Sequence, residues 1–368
     1  MVVETIMFKE LCSKILQAVS KSDSTPITET LELKTQEGFL YLSVTNREYY
    51  VSVKFPIEYK EEFHATVNAA SFLKLVSQIT SEHIDLKCTD KYVSIKANGS
   101  YKVPLIFNED KLLDLPQITI DNVLSTFDIE TSILKSIARY NTRGVAKKVF
   151  ADVVQSTYYI DDQGCITFSQ GACVNNFQLE KPVKFLLSDT VVRLFKLFTS
   201  SSVHFTLGID PLNDLIMQTK VSFEDELVKM TVITPNASID RMPAAAIRAT
   251  ANASYGQSIV LSRMELLQAL NRLAAVEGSK KFTYGIFTCL NNELTIEDLQ
   301  RNNSEVLKYK DGSLVREPYT FTLELNSLKV LLSDWAEDYI NLRCGNSQSI
   351  VIKRGDVLDV IPEVKVNV

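Results

Sequence analysis

A short alternating strand, a polar capping residue and an amphipathic helix follow one another six times along the chain. The clearest copies read HATVNAASFLKLVSQI, KFLLSDTVVRLFKLF, SIVLSRMELLQALNRLA and YTFTLELNSLKVLLSDW. A period of about 60 residues predicts a modular β-α array rather than a single enzyme core. The six copies begin near Phe8, His64, Phe127, Lys184, Ser258 and Tyr319.

The copies pair into domains, because the segments that follow the helices alternate in type. Odd-numbered helices precede one strand led by Gly or Asn, at 38–46, 164–171 and 292–298. Even-numbered helices precede a pair of strands, as at 83–97 and 203–221. Alternation of apolar and polar residues marks all of these segments as half-buried strands.

Two stretches without this pattern indicate where the domains end. The first is acidic and contains Pro, at 108–117, and the second is rich in small residues, at 243–256. We therefore expect an α+β protein of three similar domains, each with two helices on two small antiparallel sheets. The predicted domains are 1–122, 123–254 and 255–368.

The exposed faces of the six predicted helices carry basic residues, whereas Asp and Glu are concentrated in loops and strand edges. One interpretation is an ordinary solvated helix face on each helix. The other is a basic surface shared by all six helices. The basic positions are Lys14, Lys21, Lys74, Lys135, Arg139, Arg143, Arg193, Lys196, Arg272 and Lys329.

Composition limits the function classes without choosing among them. The 368 residues have a net charge of −6 and 45% hydrophobic content, which is ordinary for a globular protein. A negative total disfavours nucleic acid at first sight, but binding depends on where the charge lies. No apolar run approaches the roughly 20 residues of a membrane helix, and no signal peptide is recognisable, so we expect a cytoplasmic protein.

Motifs for catalysis or metal binding are not found in the sequence. It contains no GxGxxG, GxxxxGK[ST], GxSxG or HExxH pattern. Its three His residues are not at metal-ligand spacing, and its six Cys residues form no CxxC pair. We predict a packing or surface role for the His residues, free structural thiols, no metal, no cofactor and no enzymatic activity.

The repeat resembles the bacterial-type DNA polymerase sliding clamp, the β subunit of the replicative polymerase, along the whole chain. SLKVLLSDWAEDYINLRCGNSQSIVIKRG, followed by a tail that contains Val360-Ile361-Pro362, resembles the last domain of that family. HATVNAASFLKLVSQITSEHIDLKCTDKYVSIKANGSYKVPLIFNEDKLLDLP resembles the second half of its first domain. In the middle domain, Ser169–Cys173 replaces the family's Thr-Asp-Gly-aromatic/His-Arg sequence, as in a divergent or phage-encoded clamp.

The resemblance implies a ring of two head-to-tail subunits around duplex DNA, with the ten basic residues facing phosphates without reading bases. It implies a dimer interface at Tyr101, Val103 and Val276. It also implies that polymerase and clamp loader bind through short hydrophobic peptides. The groove for these peptides is expected at Phe150, Ser169, Gly171, Ala172, Val174, Met242, Val360, Ile361, Pro362 and Val364.

Two other function classes remain open at this stage. One is a structural or assembly scaffold that uses the same repeat without DNA. The other is an enzyme with an unrecognised site. Basic residues on all six helices favour the clamp over the scaffold, and the lack of a nucleophile–base pair or metal motif disfavours the enzyme.

Overall fold

The computed structural model describes nine segments of the chain, which together contain three successive repeats of one element order. In each repeat a strand and a helix are followed by four strands, a second helix and three strands. No helix among the described residues is long and apolar enough to cross a membrane. The described residues are 1–20, 25–58, 62–145, 152–213, 216–235, 239–277, 284–333, 336–345 and 349–365.

The first repeat is followed by a small hairpin. Its elements are β1 (Val2–Glu4), α1 (Thr5–Leu16), β2 (Thr30–Gln36), β3 (Phe39–Thr45), β4 (Tyr49–Pro56), β5 (His64–Asn68), α2 (Ala69–Gln78), β6 (His83–Cys88), β7 (Tyr92–Lys96) and β8 (Ser100–Pro104). The hairpin consists of β9 (Phe107–Asn108) and β10 (Lys111–Leu112).

The second repeat has the same order and is followed by one additional helix. Its elements are β11 (Val123–Glu130), α3 (Thr131–Tyr140), β12 (Thr157–Asp161), β13 (Gly164–Phe168), β14 (Ala172–Asn176), β15 (Lys184–Ser188), α4 (Asp189–Val192), β16 (Ser202–Asn213), β17 (Ile216–Glu224) and β18 (Val228–Ile233). The additional helix is α5 (Ala244–Ala251).

The third repeat completes the chain. Its elements are β19 (Gln257–Ser262), α6 (Arg263–Glu277), β20 (Tyr284–Cys289), β21 (Glu293–Asp298), β22 (Ser304–Lys308), β23 (Tyr319–Glu324), α7 (Leu325–Ser333), β24 (Tyr339–Cys344), β25 (Ser349–Arg354) and β26 (Val357–Pro362). Short 3₁₀ turns connect several elements, at Pro26–Glu29, Asn141–Gly144, Val153–Ser156, Arg193–Leu197 and Ile239–Arg241.

The polar capping residues that the sequence predicts are present at four helix starts. The Asn68 side chain accepts from the Ser71 N–H at 3.0 Å, and Ser188 and Ser262 accept in the same way at 3.3 Å. Glu324 accepts two N–H groups at the start of α7. These hydrogen bonds satisfy backbone N–H groups that have no partner within their own helix, so they determine the residue at which each helix begins.

The fourth helix and the secondary structure of the stretch at 243–256 differ from expectation. The α-helix ends at Val192 and continues as a 3₁₀ helix, because Val192, Phe195 and Phe198 are all fully buried at a spacing of three. The small-residue stretch at 243–256 is a boundary by its composition, yet it contains α5. Ala has the highest intrinsic helix propensity, which explains why this stretch forms a helix.

The structure divides into two compact units, and the chain passes from one to the other after Ala138, Leu179 and Asn236. Unit 1 comprises Met1–Ala138 and Glu180–Asn236, and unit 2 comprises Arg139–Leu179 and Ala237–Val368. Unit 1 contains two sheets, ordered β11-β16-β17-β18-β4-β3-β2-β5 and β1-β6-β7-β8. Unit 2 contains the orders β12-β13-β14-β26-β25-β24-β19 and β22-β21-β20-β23.

The α+β class, with antiparallel sheets and few helices, is confirmed, but the sheets are larger than predicted. Pairing of β4 with β18 and of β14 with β26 joins strands of successive repeats into long sheets. These pairs cross the predicted boundaries, and the boundaries at 122 and 254 stay a prediction.

Candidate interface edges, basic helix faces and partner groove

Strand β4 of the first repeat and strand β18 of the second repeat form a joint within unit 1. The antiparallel register places Val53 opposite Val228. A side-chain contact also links the two repeats here, since the Lys14 ammonium group of α1 lies 3.5 Å from the Thr199 hydroxyl, just after the fourth helix. The joint therefore combines a strand pair with a side-chain contact.

The same combination occurs in unit 2, where β14 of the second repeat pairs with β26 of the third. Ala172 lies opposite Val360. A guanidinium nitrogen of Arg143, just after α3, donates to the Leu331 carbonyl of α7 at 3.2 Å. Gly171 permits the close approach, because a Cβ there would lie 2.7 Å from the Val360 carbonyl oxygen.

Strands β22 and β8 occupy the same positions within their repeats as the strands that form these two joints. Strands β4, β14 and β22 are the fourth strands of their repeats, and β18, β26 and β8 are the last strands. Within the described part of the chain, β22 pairs only with β21, and β8 pairs only with β7. Each is therefore an edge strand of its sheet. Both edges expose apolar side chains, with Val306 of β22 at 53% exposure and Tyr101 of β8 also exposed.

The predicted dimer residues fall into two groups. Tyr101 and Val276 are exposed, and Val276 is 62% exposed near the end of α6. Val103 is only 7% exposed and lies opposite Val93, because alternate residues of β8 face the core of their own repeat. Sequence reasoning missed Val306, although alternation along SEVLK, in which Leu307 is buried, is the usual signal of an outward strand residue.

The basic helix residues are mostly exposed, and some already have partners. Arg193 is ion-paired with Asp189 at 2.5 Å, and Arg272 forms a two-pronged ion pair with Glu305 at 2.7 Å. These pairs reduce the charge that either residue offers to another anion. Lys74, Lys135, Arg139 and Lys196 are exposed, Lys14 and Lys329 are half-buried, and Lys21 lies outside the described residues.

Arg143 does not lie on an exposed helix face, contrary to the prediction. Its side chain is 12% exposed and lies 3.8 Å from the carboxylate of Asp359. The 3₁₀ turn that carries it approaches β13 closely, since a Cβ on Gly144 would lie 2.3 Å from the Thr167 hydroxyl. This guanidinium therefore stabilises unit 2 internally.

The predicted groove residues cluster where the β13–β14 turn meets the terminal strand β26. Gly171 approaches Pro362, with 3.6 Å between its ideal Cβ and the Pro362 Cδ, and α5 packs against both β14 and β26. Pro362 is exposed, and Ser169, Gly171, Ala172, Ile361 and Val364 are half-buried. Val174, Met242 and Val360 are buried, and Phe150 lies outside the described residues.

Comparison with known proteins identifies the fold. Residues 1–118 match the model of the family described as DNA polymerase III beta subunit, N-terminal domain. The DNA polymerase III beta subunit of Pseudomonas aeruginosa is similar over 99% of both chains, with a TM-score of 0.82 and 13% identity. The chain has the fold of a bacterial sliding clamp. This confirms the resemblance that the sequence indicates.

Two further sliding clamps have similar structures. The sliding clamp of Bacillus subtilis has a TM-score of 0.81 at 12% identity, covering 99% of this chain and 98% of that chain. The beta subunit of Thermotoga maritima has a TM-score of 0.77 at 17% identity, over 99% of both chains. No curated protein matches the sequence significantly.

In this clamp fold, a buried charged cluster lies directly beneath the predicted groove. Asp359 of β26 accepts from Arg354 at 3.1 Å, and the Arg354 guanidinium lies 4.1 Å from the centroid of the Tyr140 ring. Burial raises the pKa of the Asp359 carboxyl to about 6, which the nearby Arg143 opposes. The cluster anchors β26 from below, immediately before Val360.

The departure from the family's middle-domain sequence has a structural consequence at Cys173. This residue replaces the Arg that the family resemblance would place there, and its side chain is buried rather than directed to solvent. Burial, with the charge of Asp359 as a smaller cause, raises the pKa of the Cys173 thiol well above its ordinary value. The thiol therefore stays neutral, and unlike an Arg guanidinium it carries no positive charge for a peptide carboxylate.

Proposed function

We propose that this protein is a DNA sliding clamp, a non-catalytic ring that encloses duplex DNA and tethers a replicative polymerase. The observation that carries the proposal is the joint that occurs twice within the chain, at β4–β18 and β14–β26. The strands left over, β8 and β22, are the two halves of a third joint. Two chains placed head to tail would form that joint twice, which closes a ring of six repeats.

The proposed subunit interface pairs β22 of one chain with β8 of a second copy. Tyr101 and Val306 supply exposed apolar side chains on the two edges, and Val276 supplies one on α6, the helix that follows the same repeat's first strand. Pairing would satisfy the edge hydrogen bonds and bury these side chains. Val103 would support the edge from within the core of its repeat.

The basic helix residues are proposed to face DNA phosphates around the ring. Lys74, Lys135, Arg139 and Lys196 are the strongest candidates, because they are exposed, and Lys14 and Lys329 are further candidates. Contacts with phosphates alone carry no sequence information, so the ring would slide. The net charge of −6 is compatible with this role if the acidic residues lie on other surfaces.

The partner groove is proposed at the turn around Ala172 and the terminal strand around Pro362. Polymerase and clamp-loader peptides that end in apolar residues are the proposed ligands, since a few buried apolar anchors supply most of the binding free energy in such sites. Because Cys173 is uncharged and buried, we expect a carboxylate on the peptide to contribute little. The proposed location is the cytoplasm of a bacterium or a phage-infected cell.

The DNA role is tested by topology rather than by affinity. The protein is assembled in the presence of nicked circular duplex DNA, and the complex is then separated from free protein at high salt. A restriction enzyme linearises half of the sample. A sliding clamp should stay with the circle and leave the linear molecule, whereas equal retention on both forms would contradict the proposal.

Charge variants separate basic contacts from general solubility effects. Replacing Lys74, Lys135 and Lys196 by Glu should lower retention and flatten the salt dependence, by about 0.9 in the log–log slope for each phosphate that is no longer neutralised. Lys91→Glu is the control for one such charge reversal, because Lys91 is also exposed but lies in the β6–β7 turn. A dimeric wild-type protein that shows no retention on circular DNA would favour the alternative of a scaffold that does not bind DNA.

A further inference from the structure

Three side chains from distant parts of unit 1 converge beside the β2–β5 strand pair. The Nε2 atom of His64 lies 3.0 Å from Oε1 of Glu32 and 3.4 Å from Oδ1 of Asp114. All three ligand atoms lie within 4.8 Å of one another. Residues 32, 64 and 114 are far apart in the sequence, so spacing rules for metal ligands could not find the group.

We propose that Glu32, His64 and Asp114 form a binding site for a divalent transition metal of the zinc class. A tetrahedral zinc ion with bonds of about 2.0–2.1 Å has ligand atoms about 3.3 Å apart. The two distances from His64 Nε2 already match this separation. One imidazole and two carboxylates leave a fourth position for water or an added ligand, and the imidazole favours zinc over magnesium or calcium.

Charge and burial support the same assignment. The Glu32 side chain is 5% exposed, whereas that of Asp114 is 77% exposed, so the site is fixed on one side and open to solvent on the other. The single Nε2–H of a protonated His64 cannot point at both carboxylates. A neutral imidazole with two carboxylates has a charge of −2, which one divalent ion neutralises.

The backbone holds two of the ligands rigidly and the third on a loop. Glu32 and His64 lie on neighbouring strands, because His64 pairs with Lys34 and Glu32 pairs with Thr66. Asp114 is 77% exposed, so an ion can reach the group from solvent on that side. Asp114 belongs to the segment that leads from β10 to the predicted boundary at 122, so a bound ion would pin that segment to the sheet.

Lys34 is the competing cation. It lies directly opposite His64 in the strand register and lines the same cavity as Glu32. Its ammonium group disfavours a second cation nearby. Replacing Lys34 by Gln should therefore tighten metal binding, an effect that a site elsewhere on the chain would not show.

The test uses zinc alone and the full chain. Competition with a chromophoric chelator should give one tight zinc site per chain. Histidine-selective NMR should show that the His64 imidazole signal shifts on zinc addition, whereas those of His83 and His204 do not. With only three His residues, each signal is assigned from a single substitution.

Two variants and one control decide the outcome. His64→Gln and Asp114→Asn should each weaken zinc binding at least tenfold, since even residues behind the ligands cost 10–100-fold when changed. Asp114 is exposed, so its variant keeps the fold. His204→Gln is the control, because among the described residues His204 contacts one carboxylate, Asp128, at 2.9 Å. Unchanged affinity in either variant, or a shift at His204 instead, would overturn the proposal.

Discussion

At the residue scale, Asp210 shows how one buried carboxylate organises a connection between repeats. Its oxygens accept from Lys220 at 3.0 Å and from the backbone N–H groups of Asn122 at 2.8 Å and Asp121 at 3.2 Å. Burial alone would raise the pKa of Asp210, but these hydrogen bonds outweigh it and lower the pKa to about 2. The start of β11 is thereby fixed to β16.

The lowered pKa predicts a defined pH dependence. The unfolded-state pKa of Asp is about 3.9, so the stabilisation by Asp210 is complete above that pH and is lost as the pH falls toward 2. The stability difference between the wild type and Asp210→Asn should be about 2 kcal/mol at pH 5 and should shrink as the pH approaches 2. Urea unfolding followed by circular dichroism measures it.

The matched control is Asp110→Asn, because Asp110 is exposed in the β9–β10 turn. Its effect on stability should be small and independent of pH over the same range. A difference for Asp210→Asn that stays constant from pH 5 to pH 2 would show that its charge is not what stabilises the connection.

At the scale of elements, features that depend on residues close together in the sequence are predictable, whereas features that depend on tertiary packing are not. The caps at Asn68, Ser188, Ser262 and Glu324 are predictable because an N-cap depends on residues a few positions away. The 3₁₀ continuation of α4 is not, because it depends on which neighbouring side chains bury Val192, Phe195 and Phe198 from elsewhere in the fold. The helix α5 is missed because an Ala-rich stretch suits a linker and a helix equally.

In the predicted groove, too, the sequence predicts some features and misses others. The turn at Ser169–Ala172 and the tail at Val360–Pro362 are predicted as one site, and the β14–β26 pairing does bring them together. The burial of Val174, Met242 and Val360 is not predictable from the sequence. We expect these three residues to shape the floor of the groove, with Ala172 and Pro362 meeting the peptide.

The groove is tested by replacing one wall residue with a charge. Ala172→Asp should weaken binding of a fluorescein-labelled peptide that ends in two apolar residues by at least tenfold, because a carboxylate would face the apolar anchors. Gln170→Asp is the matched control, since Gln170 is exposed in the same turn. Fluorescence anisotropy gives both affinities. Equal affinities for the two variants would place the peptide elsewhere.

At the scale of the whole molecule, the order of strands carries more information than any single residue. The sequence indicates six copies and three repeats, but it cannot show that β4–β18 and β14–β26 are paired, because those pairs join strands that are far apart along the chain. It names Tyr101 and Val276 through the family resemblance and misses Val306. Only the observed joints show which two edges should meet.

Substitutions on the two edge strands, β8 and β22, test whether the subunits associate head to tail. Tyr101→Asp damages β8 and leaves β22 intact, whereas Val306→Asp damages β22 and leaves β8 intact. In a head-to-tail dimer each variant alone has two damaged joints, because every joint uses β8 of one chain and β22 of the other. Each should therefore behave as a single 41.4-kDa chain in light scattering at concentrations where the wild type is dimeric.

Mixing the two variants should restore association. One joint of the mixed pair contains both substitutions, and the other contains neither, so an open dimer should form through the intact joint. It should have the mass of two chains, yet it should not stay on nicked circular DNA, because the ring is broken at the other joint. Leu212→Asp is the control, since Leu212 is also an exposed strand residue but lies away from both edges. An interface that pairs β8 with β8 would instead leave Val306→Asp dimeric, and the head-to-tail ring would then be wrong.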